Sequence, residues 1–200
     1  MPVKYAGFWK RLCAAILDVV VTLPVLLLLA WMNSISRELA MVLVLPTAFF
    51  FWFYVVAFHA RFGATPGKML VNIKVVRADD YADIGWYEAS LRSSVEIGFA
   101  AIGLVGQFIA LSRMSSSEYQ RLGAFEREIK LAELQPEWML VLEAMVHVWY
   151  WSEMIVLLFN RRKRAIHDFI AGTVVIHSDT QPPIARPDPH APLPVDQVRQ

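Results

Sequence analysis

Ionisable side chains standing inside long apolar runs are where this chain could do chemistry. Each such residue costs roughly 2.5 to 3.5 kcal/mol at the centre of a membrane-crossing helix and persists where it is paired or used. Asp18, Glu96, Glu143, His147 and Glu153 all stand in runs of this kind. Glu143 and His147 are i,i+4 neighbours on one helical face that Tyr150 continues. Such a row relays protons, because imidazole titrates near neutrality, or it forms an interhelical hydrogen bond; both readings are open. A metal site there is disfavoured, since no Cys or second His stands nearby in sequence.

Depth links three of these acids. At about 1.5 Å per helical residue, Asp18 and Glu153 each lie about 9 Å from the basic-flanked end of their runs, and Glu96 lies about 4.5 Å from it. Two carboxylates level with each other in a poor dielectric share a proton or hold a cation between them. The competing reading has each acid hydrogen-bonded to a different helix. Arg11, at the edge of the first run, has Asp168 as its expected partner, in a bidentate pair closing the two ends of the bundle.

Soluble-enzyme signatures fail one by one. Thr65-Pro66-Gly67-Lys68 resembles the end of a phosphate loop, but Phe62 stands where its first glycine belongs and Met69 where Ser or Thr belongs. It reads instead as a turn whose Lys68, like the Arg161 to Arg164 cluster, anchors anionic headgroups. The last run spells E-x-x-x-H, not H-E-x-x-H, and no Gly-x-Ser-x-Gly elbow occurs. No catalytic residues, cofactor or metal are expected, and the chain is not read as an enzyme.

The elements that must carry these residues are membrane spans. Hydrophobic residues make up 56% of the chain, above the roughly 45 to 50% of soluble domains, and mean hydropathy is +0.43. Lys and Arg (19) nearly balance Asp and Glu (18), so there is no basic field for nucleic acid. The lone Cys13 starts an apolar run and reads as a buried small hydrophobe. Crossing about 30 Å of hydrocarbon takes about 20 residues. Residues 12–32, 39–60, 93–111 and 138–159 qualify, the third most weakly because it carries Glu96 and Gln107.

Four crossings put the N-terminal basic flank, the 61–92 loop and the Arg161 to Arg164 cluster on one side, as cytoplasmic positive charge requires. Both termini are then cytoplasmic, in a plasma membrane or prokaryotic inner membrane. Met69 to Val76 and Gly172 to Ile176 read as short strands, either paired into a small cap or separate. Residues 117–134 read as a helix on the outer surface, with Leu122, Phe125, Ile129 and Ala132 at helical spacing and a capping box from Ser117 to Gln120; a solvated spacer is the plain alternative. The expected domain is 1–178, followed by a disordered proline-rich tail over 179–200. The fold class is an all-α four-helix transmembrane bundle with a small strand pair.

Three segments in this order resemble one known family: AGFWKRLCAAILD from Ala6, TPGK from Thr65 followed by VVRADD, and RAIHDFIAGTVVI from Arg164. They are similar to the RDD family, integral membrane proteins named for one Arg and two Asp, and Arg11, Asp18 and Asp168 fall on the naming positions. The resemblance implies a multi-pass membrane protein with a link to ion or small-solute transport. The expected function is therefore transport. The alternative is a non-catalytic scaffold or assembly factor acting through the surface helix and tail, and an intramembrane enzyme built on Glu143 and His147 comes third. The bilayer is the expected partner, with homo-oligomers or other membrane proteins beside it, because four helices are few for a solute path.

Overall fold

The structure, a computed structural model, describes residues 3–180; the expected tail falls, from residue 181 onward, outside them. Four helices are long and apolar enough to cross a membrane: α1 (Phe8–Ile35), α2 (Arg37–Phe62), α5 (Ser94–Arg113) and α8 (Trp138–Phe159). They match the four expected spans, extending the first two at both ends and running the third from Ser94 to Arg113. Short elements complete the chain: α3 (Pro66–Leu70), β1 (Ile73–Arg77), α4 (Trp86–Arg92), α6 (Ser116–Arg121), α7 (Ala124–Leu134), α9 (Ile166–Ile170) and β2 (Thr173–His177). The protein is thus an all-α membrane bundle with one small sheet.

Local chemistry sets the boundaries. Ser36 alone separates α1 from α2, and its hydroxyl caps α2 by accepting from the Leu39 N–H at 3.1 Å. At the other end of α2, Gly63 adopts φ 68° and donates its N–H to the His59 carbonyl. That left-handed turn suits glycine and sends the chain sharply into the next segment. Pro24 and Pro46 lie inside α1 and α2, where the hydrocarbon setting tolerates proline once neighbouring groups satisfy the freed carbonyls. The broad exposed apolar faces, with Val20, Leu27, Val42 and Phe49 outward, are what a lipid-facing surface requires.

One end of the bundle carries a cap. β1 and β2 pair antiparallel, Val75 opposite Val175, and the Ala6 N–H donates to the Val175 carbonyl at 2.9 Å. Alternation along the strands sends Ile73, Val75 and Val175 into a core with Ala14 and Val56 of the spans. Val76, Val174 and Ile176 pack on the other side with Tyr5 and Tyr81. The first strand starts at Ile73, not Met69, because Pro66 at the first helical position makes residues 66–70 a helical turn.

At the opposite end, Leu131 of α7 and Tyr119 of α6 pack on Ala110 and Leu111 of α5 and on Met114 just beyond it. The single surface helix expected over 117–134 is two helices. Gly123 breaks it, its N–H capped by the Glu126 carboxylate at 3.2 Å. The Ser117 to Gln120 box is replaced by Ser115, whose hydroxyl accepts from the Glu118 N–H at 3.2 Å and starts the helix two residues earlier.

Candidate functional site

The cap end holds three linked constellations. In the first, α1 presents Asp18 to the turn after α2. Asp18 Oδ2 accepts from the Thr65 hydroxyl at 2.6 Å, and Oδ1 accepts from the Gly67 N–H at 2.7 Å and the Tyr54 hydroxyl at 3.4 Å. Position 67 has no room for a side chain: a Cβ would strike the Ala14 carbonyl and the backbone and carboxylate of Asp18. The Thr-Pro-Gly sequence thus clamps α3 against α1 with a hydroxyl, a fixed φ and a bare backbone donor.

The second constellation surrounds Asp168 on α9, which is fully buried. Arg11 Nη1 donates to its Oδ2 at 2.7 Å, and Arg92, at the end of α4, pairs with its Oδ1. The pair with Arg11 is a single contact and not the expected bidentate fork. Arg92 takes the second oxygen, and Arg11 spends Nη2 on the Lys163 carbonyl at 2.5 Å and Nε on the Ala6 carbonyl at 3.3 Å. Burial by itself raises the Asp168 pKa, but Arg92 and Arg11 outweigh it and hold the carboxyl well below the usual range. Arg92 carries no sequence signal that sets it apart from other loop bases.

The third constellation joins Glu96 of α5, Glu153 of α8 and His167 of α9, whose ligand atoms lie within 4.8 Å of one another. The His167 backbone N–H donates to Glu153 Oε1 at 2.7 Å, and its imidazole Nδ1 lies 2.7 Å from Oε2. Arg92 Nη2 donates to Nε2 at 2.7 Å, so in the neutral ring Nδ1 carries the proton and faces Glu153. Burial, then Arg92, push the His167 pKa down, which favours that neutral ring. Glu96 Oε1 accepts from the Trp149 indole N–H at 3.1 Å. The second oxygen of Glu96 is buried without a hydrogen-bond partner, whereas that of Glu153 faces the His167 Nδ1.

Glu96 and Glu153 therefore meet, but Asp18 does not join them: its oxygens go to Thr65, Gly67 and Tyr54, and His167 takes the place it was expected to fill. Depth set only one coordinate, and packing placed Asp18 toward α3. His167 stands one residue before Asp168 in the third motif, which was the available signal. Glu143 and His147 do not reach this group. Both are exposed on α8, and His147 Nδ1 donates to the Glu143 backbone carbonyl at 2.7 Å, not to its carboxylate.

A cavity of about 740 Å³ opens between α2 and α5, walled by residues such as Leu45, Phe49, Trp52, Ile97 and Leu104. Its polar end is formed by His59, Lys68, Arg92, Ser93, Glu96 and His167. Lys68 Nζ donates to His59 Nε2 at 2.6 Å, while His59 Nδ1 donates to the Val55 carbonyl. Lys68 is thus turned inward, not laid on the surface as its sequence position suggested. Burial, followed by Arg92 and Arg11, lowers its pKa well below the lysine range.

The RDD family model matches residues 5–172, a span that contains all three constellations. No curated protein and no solved structure matches the chain.

Proposed function

We propose, from the premise that this chain belongs to the RDD family, that it transports a small cation or proton across the membrane, with Glu96, Glu153 and His167 as the group that handles the charge. One observation carries this reading: three ionisable side chains from three separate elements converge within 4.8 Å at the end of a membrane bundle, and Glu96 keeps a buried oxygen without a hydrogen-bond partner. Two facing carboxylates in such a place repel each other, and a proton or a cation held between them relieves that repulsion. The Nδ1 proton of His167 beside Glu153 supplies a route for exchange with the cap. Basic residues gather at the cap end, so it faces the cytoplasm with both termini, in a plasma or inner membrane. The test is flux in liposomes holding the purified protein, followed with an entrapped pH dye under sodium, potassium or proton gradients. Glu153→Gln and Glu96→Gln each lower the rate about tenfold or more, about 1.4 kcal/mol in barrier, while Glu143→Gln leaves it unchanged. Flux no faster than in empty liposomes, or a wild-type rate in both variants, sinks the proposal.

A second reading has its own observation. Glu143 and His147 are exposed in a span, where lipid offers them no partner. A second copy in the same orientation presents the same two residues at the same depth, so Glu143 of one protomer meets His147 of the other one turn away. This favours self-association, and with it a scaffolding role. Cysteine placed at Ala144 in a Cys13→Ser background forms a disulfide dimer in native membranes. Equal cross-linking from a cysteine at Val20, exposed on α1, marks the dimer as random collision.

A further inference from the structure

The cavity between α2 and α5 is divided chemically. Its walls are aliphatic and aromatic and belong to the spans, so they lie in the hydrocarbon zone, where a void of about 740 Å³ fills with apolar chain. Its polar end lies at the cap end of α2 and α5, where His59 stands in the last turn of α2, and there Lys68 stands without a counter-ion. Among the described residues Lys68 forms no salt bridge: its amine is bonded to the neutral His59 ring. The nearby carboxylates are engaged elsewhere, Asp18 by Thr65 and Gly67, Asp168 by Arg11 and Arg92, and Glu153 by His167. Glu96, the one acid lining the cavity, is held by Trp149. A second signal lies deeper: the Trp52 indole N–H, on a ring lining the cavity, is buried without an acceptor.

We propose that this cleft binds one anionic phospholipid, its phosphate on Lys68 between Arg92 and Ser93, an ester carbonyl in reach of the Trp52 N–H, and an acyl chain along α2 and α5. An anion explains the arrangement that a zwitterionic lipid does not. A phosphate supplies the missing negative partner and favours the charged amine, which burial beside Arg92 and Arg11 otherwise disfavours. The apolar wall selects a lipid over free phosphate, because only an acyl chain removes that surface from a void. The cleft borders the proposed charge-handling group at Glu96 and His167, but lipid retention is read without any flux.

The full-length protein, purified in detergent and incubated with equal amounts of phosphatidylglycerol and phosphatidylcholine of the same chains, is weighed by native mass spectrometry. One phosphatidylglycerol is retained at least about tenfold over phosphatidylcholine. Lys68→Gln, which still donates to His59, removes the preference, and Lys68→Arg restores it. Ala101→Phe fills the cleft and lowers retention with Lys68 intact, while Arg161→Gln with Arg162→Gln changes nothing. Equal retention of the two lipids overturns the proposal. So does a preference that survives Lys68→Gln, or one that follows Arg161 and Arg162 instead, which is capture by surface charge. If Lys68→Gln is not monodisperse, Ala101→Phe decides, and unchanged retention in it overturns the site.

Discussion

At the scale of the residue, Asp168 shows how a buried charge is made tolerable. It is fully buried, yet two guanidinium groups, the Ala165 N–H and the Thr173 hydroxyl face it. Removing one partner of such a group costs roughly 3 to 5 kcal/mol, because the remaining charge stays buried and unpaired. Asp168→Ala and Arg11→Ala each lower the folded yield and the melting temperature in detergent, and the double variant loses less than the sum of the two. Strict additivity excludes direct coupling. The pH dependence has a definite sign. The folded pKa lies below the unfolded value of about 3.9, so the stabilisation is complete above that pH and fades as pH falls through the folded value. The gap in melting temperature between wild type and Asp168→Asn is therefore widest near neutrality and narrows below about pH 4.

At the scale of the element, the decisive contact is α3 against α1. A backbone N–H of a five-residue helix bonds a carboxylate of a span, which requires the two backbones to approach within reach of a glycine and no more. Gly67→Ala puts a methyl group into the Ala14 carbonyl and costs about 1 to 3 kcal/mol as overpacking. Gly98→Ala, on α5 with nothing within 4 Å of the added carbon, is neutral or slightly stabilising. Thermal unfolding of the two variants by intrinsic fluorescence checks this, and equal melting temperatures would show that α3 yields freely. The same clamp explains why Asp18 left the acid group: a carboxylate with three donors on α2 and the turn beyond it has no oxygen to spare.

At the scale of the whole molecule, four spans bring both ends of the described chain to one face. β2, after the last span, pairs with β1, after the second, and Ala6, before the first, bonds to β2. An odd number of crossings would place β2 and Ala6 on opposite sides of a membrane and forbid that hydrogen bond. A phosphatase or fluorescent reporter fused after Ile176 reports cytoplasm, and one inserted at Gly123 reports the outside. The same side for both would break the four-span arrangement.

The sequence by itself determined the elements whose signals are local or additive. Spans are legible because apolar transfer energy sums over about 20 residues, so even the weak third run, with Glu96 and Gln107, stands out. The pairing of Arg11 with Asp168 follows from their nearness to the same ends. What only the tertiary structure decided is lateral and backbone-specific. Depth along a helix is readable from a residue count, but rotation about the axis and the order of helices are not, so His167 and not Asp18 meets Glu153. Arg92 was invisible because its role comes from a buried aspartate 76 positions away. Lys68 read as a surface anchor and turned inward because Gly63, with φ 68°, reverses the chain beneath α2, a turn no hydrophobic pattern records.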